Sequence, residues 1–165
     1  MTIEQYITKI NTLFQTGNAR EHSYRGDLQN LLMAILPDVL VTNEPARVAC
    51  GAPDYVLTRK DIPVGYVEAK DIGVDLKDKK LKEQFDRYKA GLSNLIFTDY
   101  MDFHFYKDGE FVIKIEIASV ENGSIIAKPE NFDQFKNLIK NFAETISQTI
   151  KSPTKLAQMM AGKAK

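Results

Sequence analysis

The segment from Gly51 to Lys70, GAPDYVLTRKDIPVGYVEAK, places two carboxylates and one ammonium at the ends of a short apolar hairpin. Asp54 follows Pro53 at the start of one arm, and Glu68-Ala69-Lys70 closes the other. Strand residues two apart share a face, so Glu68 and Lys70 point one way while Val67 and Ala69 turn to the core. Asp54 begins the neighbouring strand, which brings its carboxylate toward Glu68. Two such groups repel unless a cation neutralises them, and charges in apolar surroundings are costly unless paired or metal-bound. Hard oxygen donors without His or Cys suit Mg²⁺ or Mn²⁺, with the Ala69 carbonyl as a further ligand. A cation there activates water and stabilises charge on a phosphate oxygen. Lys70 would orient that water or stabilise the developing negative charge. Phosphodiester hydrolysis is the reaction that needs this set. The plain alternative for Glu-x-Lys is an exposed ion pair worth ~0–1 kcal/mol; Pro53-Asp54 across the hairpin tips the reading toward a site.

The elements that must hold these residues follow from periodicity. Ile3, Tyr6, Ile7, Ile10, Leu13 and Phe14 recur at helical spacing behind a Thr2/Gln5 capping box, and Gly17-Asn18 ends that helix. A second helix is predicted from Arg20 to Leu36, with Pro37 at its end. Short strands are predicted at Leu40–Thr42, Asp54–Thr58 and Val64–Lys70, with residues Arg59 to Pro63 as the hairpin turn. A loop over 72–75 leads into a helix over 76–92. Strands follow at Asn94–Thr98, Asp102–Tyr106 and Phe111–Ile117, the last two joined by Asp108-Gly109, a strong hairpin signal. A long amphipathic helix spans 130–150 and buries Phe135, Leu138, Ile139, Phe142 and Ile146. The expected fold class is α/β, a mixed central sheet flanked by helices.

Bulk composition narrows the function classes. The chain has 165 residues, with 44% apolar and 27% charged, ordinary values for one soluble domain. No apolar run approaches the ~20 residues of a membrane span, and the N-terminus lacks signal-peptide character, so a cytoplasmic location is expected. The lone Cys50 excludes an internal disulfide and a Cys-based zinc site. His22 and His104 read as a helix and a strand residue. Net charge is zero, but residues 151–165 hold four lysines and no acids, leaving 18 basic and 22 acidic residues elsewhere. Binding a polyanion would therefore take a local basic patch, a metal or a partner domain.

Pro53-Asp54 followed by Glu68-Ala69-Lys70 resembles the PD-(D/E)XK nuclease superfamily. Gln84 and Tyr88 resemble the Gln-x-x-x-Tyr motif of RecB-like nucleases and restriction-enzyme motor subunits, and at i and i+4 they share one helix face. Further segments (Glu21 to Arg25, Asn43 to Pro45, Val48 to Asp54, Gly65 to Gly73 and Asn94 to Tyr100) look like the N-terminal nuclease domain of large single-chain, type IIG-like restriction–modification enzymes. In those proteins an adenine-specific DNA methylase follows. The resemblance covers most of residues 1 to 120, and the stretch around Ser152-Pro153 is similar to the family's linker.

This likeness implies a restriction-endonuclease-like fold over residues 1–150 and a connector at 151–165 leading to missing methylase and target-recognition domains. It implies a Mg²⁺-dependent endonuclease acting on double-stranded DNA, with dimerisation where both strands are cut. Asp54, Glu68 and Ala69 hold metal, Lys70 positions water, and Glu21, Gln84 and Tyr88 support them. Glu21 is also a favourable helix-start acid, and Tyr88 also fits the apolar stripe of its helix. Arg25 has two readings, an ion pair with Glu21 or a phosphate contact. Arg47, Lys77, Lys79, Lys80, Lys82, Arg87 and Lys89 are candidate phosphate contacts, although Asp71, Asp75, Asp78, Glu83 and Asp86 interleave with most of them as on a solvated helix. The rival from another class is a catalytically idle DNA-binding or scaffold domain that keeps the nuclease fold.

Overall fold

The structure is a computed structural model that describes residues 1–43, 45 and 51–150, with only the backbone described over 145–150. The predicted connector at 151–165, Cys50 and Arg47 lie outside the described residues.

Helix α1 (Ile3–Gln15) begins at the predicted capping box: the Gln5 N–H donates to Thr2 Oγ1 (3.1 Å) and the Thr2 N–H to Gln5 Oε1 (2.9 Å). Helix α2 (Arg25–Ile35) is shorter than predicted, because residues Glu21–Tyr24 form a 3₁₀ turn instead of its first turn. There the Tyr100 hydroxyl donates to the Glu21 carbonyl (2.6 Å), and the Arg25 N–H bonds the His22 carbonyl. A tertiary contact thus displaces the α-helical pattern, which periodicity cannot foresee.

Six strands form one sheet in chain order: β1 (Leu40–Asn43), β2 (Tyr55–Arg59), β3 (Ile62–Ala69), β4 (Asn94–Thr98), β5 (Asp102–Lys107) and β6 (Glu110–Glu116). Every neighbouring pair is antiparallel except β3 and β4, which run parallel and are joined by helix α3 (Lys79–Gly91). The β2–β3 turn needs only Lys60 and Asp61, both left-handed (φ 52° and 67°), the geometry of a two-residue hairpin. Pro63 therefore sits inside β3, not in the turn. It is tolerated because β4 pairing starts only at Tyr66 and a bulge lies opposite at Leu57/Thr58. Helix α3 starts later than predicted, since the Asp78 side chain accepts the Lys80 N–H and sets the cap there. A hairpin of β7 (Ala118–Glu121) and β8 (Ser124–Ala127) was not predicted, although Asn122-Gly123 supplies both positive φ values (51° and 79°). It docks on α1 through Gln15 to the Gly123 carbonyl (2.9 Å) and the Ile125 N–H to Asn11 Oδ1 (3.0 Å). Helix α4 (Phe132–Ile150) closes the described chain.

The two faces of the sheet are covered differently. Val67, Ala69 and Ile96 join the core beneath α1, α2 and α4. Leu95 and Phe97, of opposite parity, pack against Leu76, Phe85, Tyr88 and Leu92 on the α3 side, where the Phe85 and Phe97 rings stack at 3.7 Å. Glu68 and Lys70 share the parity of Tyr66, the β3 residue that packs on the α3 side. Asn94 ties the layers together, donating to the Val64 carbonyl (2.9 Å) and the Phe142 carbonyl (2.6 Å). The expected mixed sheet flanked by helices is present.

Helix α4 crosses β3 at Gly65, where an added Cβ would meet the Phe142 ring at 2.4 Å. Overpacking of this kind costs about 1–3 kcal/mol. Gly65→Ala is expected to lower stability by that amount in urea unfolding, with the native circular dichroism spectrum retained.

Candidate active site

β3 and β4 are parallel, so their carboxyl ends lie together, and β2 starts at that same edge because it is antiparallel to β3. This is the end of an open α/β sheet where ligands bind. Asp54 immediately precedes β2, Glu68 and Ala69 end β3, and Lys70 continues the ladder through its N–H to the Thr98 carbonyl (2.8 Å).

The side chains interlock. The Ala69 N–H donates to Asp54 Oδ2 (2.8 Å), while the Asp54 N–H donates to Glu68 Oε1 (3.1 Å). Lys70 Nζ lies 3.2 Å from Glu68 Oε2 and donates to Gln84 Oε1 on α3 (2.8 Å). From the other side, the Arg25 guanidinium at the start of α2 donates to Asp54 Oδ1. Asp54, Glu68 and Arg25 are each less than a tenth exposed. The two carboxylates, predicted from strand spacing, are therefore brought together with Lys70 and Gln84. Arg25, read as a partner of Glu21 or a phosphate contact, is paired with Asp54.

Burial is the main force on Glu68, pushing its carboxyl up to about 7 from 4.5; the nearby Asp54 charge adds to this and Lys70 opposes it. A cation that neutralised the pair would relieve this strain. Among the described residues no three His, Cys, Asp or Glu side chains gather as a metal cage. Two carboxylates and the Ala69 carbonyl nevertheless fit Mg²⁺, which binds through one or two carboxylates and keeps several waters.

A buried tyrosine cluster, of which the sequence marks only Tyr6 as a core position, supports the site from behind. The Tyr55 hydroxyl donates to the Arg25 carbonyl (3.0 Å), Tyr100 to the Glu21 carbonyl, and Tyr6 to the Tyr100 carbonyl (2.7 Å). Burial raises the hydroxyl pKa of all three, so they act as donors. Tyr100 adopts a left-handed backbone (φ 77°), held by Thr98 Oγ1, which accepts its N–H (2.9 Å), and by Asp99 Oδ1, which accepts the Met101 and Asp102 N–H groups.

The remaining predicted residues take varied positions. Glu21 has a partly exposed carboxylate, 3.9 Å from His22 Nε2, and lies close enough to Tyr100 to raise that hydroxyl further, as Asp54 also does. It lies on the site's side of the fold, next to Tyr100. Tyr88 is buried in the α3 core and its ring lies against Gly51, where a Cβ would meet it at 2.8 Å. Lys82 pairs with Asp86 (2.6 Å), Arg87 with Glu83 (3.5 Å) and Lys89 with Asp86 (3.5 Å), the pattern of a solvated charged helix. His104 is buried beside Asp102 (2.9 Å) and pairs with Phe97, which stands between it and Glu68 in the sheet.

No protein-family model and no curated protein matches the chain significantly. Among solved structures, a chain of the cryo-EM structure of the DrdV–DNA complex is similar over 86% of this chain, with a TM-score of 0.62 and 22% identity. This chain spans 13% of that chain's length. The likeness concerns the fold, and the six-stranded mixed sheet flanked by helices is compatible with a restriction-endonuclease-like fold.

The pH dependence of stability follows from Glu68. Its folded pKa lies above the unfolded value, so the stabilising proton is held below about 4.5 and its contribution is lost as pH rises through about 7. In chelator, wild type is expected to lose stability across that window relative to Glu68→Gln, by at most about 1.4 kcal/mol per pH unit. Urea midpoints at several pH values measure the difference; parallel profiles would contradict it.

Proposed function

We propose that this chain is a Mg²⁺-dependent DNA endonuclease domain, the cleavage module of a restriction–modification enzyme. The observation that carries the reading is the mutual engagement of Asp54, Glu68, Lys70 and Gln84 at the carboxyl ends of the parallel strands. It is supported by the resemblance in sequence and by a structural neighbour that was solved bound to DNA. Since the chain spans a small part of that neighbour, methylase and target-recognition domains in the same polypeptide, and pairing of two copies for double-strand cleavage, belong to the proposal.

Asp54, Glu68 and the Ala69 carbonyl would hold Mg²⁺, or Mn²⁺ in its place. When bound, the cation supplies charge neutralisation at the phosphate and an acidified water. The chain's own residues do the rest. Gln84 Oε1 accepts a hydrogen bond from the Lys70 ammonium and so fixes its direction. A second N–H of that ammonium is shared with Glu68, leaving the third to orient the attacking water or a phosphate oxygen. Glu21 and Tyr88 are supporting residues, Tyr88 by holding the Gly51 backbone just ahead of Asp54.

One observation favours the rival reading of an idle DNA-binding or scaffold domain. Asp54 and Glu68 are already balanced by Arg25 and Lys70, so the cluster is formally neutral without metal. Cleavage separates the two readings. Lys70→Ala in the purified protein is expected to reduce Mg²⁺-dependent cleavage of plasmid DNA by at least about 100-fold, with circular dichroism unchanged. Equal cleavage by the variant would sink the assignment, and absence of metal-dependent cleavage in wild type would favour the scaffold.

A further inference from the structure

We propose that Tyr100 is a positioning residue for DNA cleavage that acts through Glu21, its hydroxyl fixing the turn from which the Glu21 carboxylate serves the site. The proposal rests on the metal-dependent reading above, in which Glu21 supports the carboxylate pair. The Tyr100 hydroxyl donates to the Glu21 carbonyl across 79 residues of sequence (2.6 Å). Glu21 opens the 3₁₀ turn Glu21–Tyr24, and α2 begins directly after it at Arg25, whose guanidinium donates to Asp54 Oδ1. Burial is the main cause that raises the Tyr100 hydroxyl pKa, and the charges of Asp54 and Glu21 are both near enough to raise it further. The group is therefore a donor across the neutral range, set close to both carboxylates. The Glu21 side chain is itself 33% exposed. Its main chain is clasped while its carboxylate stays open to solvent.

A tyrosine that only filled the core would need no such mounting. Tyr100 holds a left-handed backbone (φ 77°), which a residue with a Cβ rarely adopts. Thr98 Oγ1 accepts its N–H (2.9 Å) and donates to the Asp102 carbonyl (2.8 Å). Buried Asp99 accepts the Met101 and Asp102 N–H groups (3.1 and 2.8 Å). Tyr6 donates to the Tyr100 carbonyl (2.7 Å), and the Tyr24 and Tyr100 rings lie 5.2 Å apart. Backbone strain maintained by surrounding contacts clusters at functional sites, and here it aims one hydroxyl. Tyr100 follows the end of β4, which pairs with the β3 end that carries Glu68 and Ala69. Its hydroxyl thus ties the Glu21 turn to the same sheet edge as the carboxylate pair. A carboxylate that takes part in phosphodiester hydrolysis tolerates little drift, since a displacement of about 1 Å costs on the order of 100-fold in rate.

The test is a double-mutant cycle of Tyr100→Phe and Glu21→Gln in the purified protein. It is read by Mg²⁺-dependent cleavage of plasmid DNA and, without metal, by amide hydrogen exchange. Tyr100→Phe is expected to lower the maximal cleavage rate at least about tenfold, with KM for DNA held within about twofold. The double variant is expected to be no slower than Glu21→Gln alone, since both changes disable one carboxylate. Without metal, exchange of the Arg25 N–H, which bonds the His22 carbonyl in the turn, is expected to quicken at least about tenfold in Tyr100→Phe. The Lys70 N–H, bonded to the Thr98 carbonyl, is expected to keep its rate. Full activity in either single variant, losses that multiply in the double variant, or unchanged exchange at Arg25 would each overturn the inference while leaving the metal-dependent reading standing. Absence of metal-dependent cleavage in wild type would overturn that reading, and the inference with it. Should Tyr100→Phe fail to fold, Tyr6→Phe, which releases the Tyr100 carbonyl, takes its place in the cycle. A loss that Glu21→Gln masks supports the inference, and losses that multiply overturn it.

Discussion

A carboxylate pair buried at the end of a sheet is the constraint around which this molecule is arranged. Asp54 and Glu68 sit where strand backbone, two helices and a turn converge, and neither is exposed by more than a tenth. Left unpaired there, each would be destabilising by several kcal/mol. Every neighbouring element contributes to the compensation. β2 and β3 each lend a backbone N–H to the other's side chain, α2 lends Arg25, and Lys70 closes the circuit to α3 through Gln84. Removing Arg25 or Lys70 leaves a buried carboxylate without its counter-charge.

The parallel β3–β4 pair gives the cluster its location. An antiparallel sheet throughout would have placed the β3 end beside the start of β4. The α3 crossover instead sets two carboxyl ends together and brings Gln84 over Lys70. Behind this edge, phenol hydroxyls replace water as hydrogen-bond donors. Tyr6, Tyr55 and Tyr100 donate to carbonyls at the β4–β5 turn and the start of α2. Rigidity there costs little aromatic entropy, since each ring is also core.

Strand periodicity made the carboxylates and Lys70 legible, because a two-residue repeat fixes which side chains share a face. The strand Asn94–Thr98 was read to the residue, since all five positions are buried and bounded by Ser93 and Asp99. Local rules failed where distant contacts decided the outcome. Arg25 and Asp54 are 29 residues apart, and nothing local distinguishes that partner from Glu21. The 3₁₀ turn before α2 depends on Tyr100, 79 residues beyond Glu21. Of Tyr6, Tyr55 and Tyr100, only Tyr6 reads as part of an apolar stripe, and nothing local marks the hydroxyl ends of Tyr55 and Tyr100. The β7–β8 hairpin is a different kind of miss, since Asn122-Gly123 carries the turn signal in plain sight. Lys60-Asp61 carries a weak one, as neither residue is glycine.

The parallel pairing of β3 with β4 also dictates an order of events during synthesis. Asp54 and Glu68 are translated before Gln84, before the strand that covers β3, and before the phenol of Tyr100 that anchors the turn at Glu21. A nascent chain ending short of β4 has both carboxylates but leaves β3 as a raw sheet edge. The Lys70–Gln84 part of the cluster therefore cannot assemble from the hairpin alone. It comes into being only once the chain has doubled back through α3, so any reactivity it confers belongs to the finished fold and not to a growing chain.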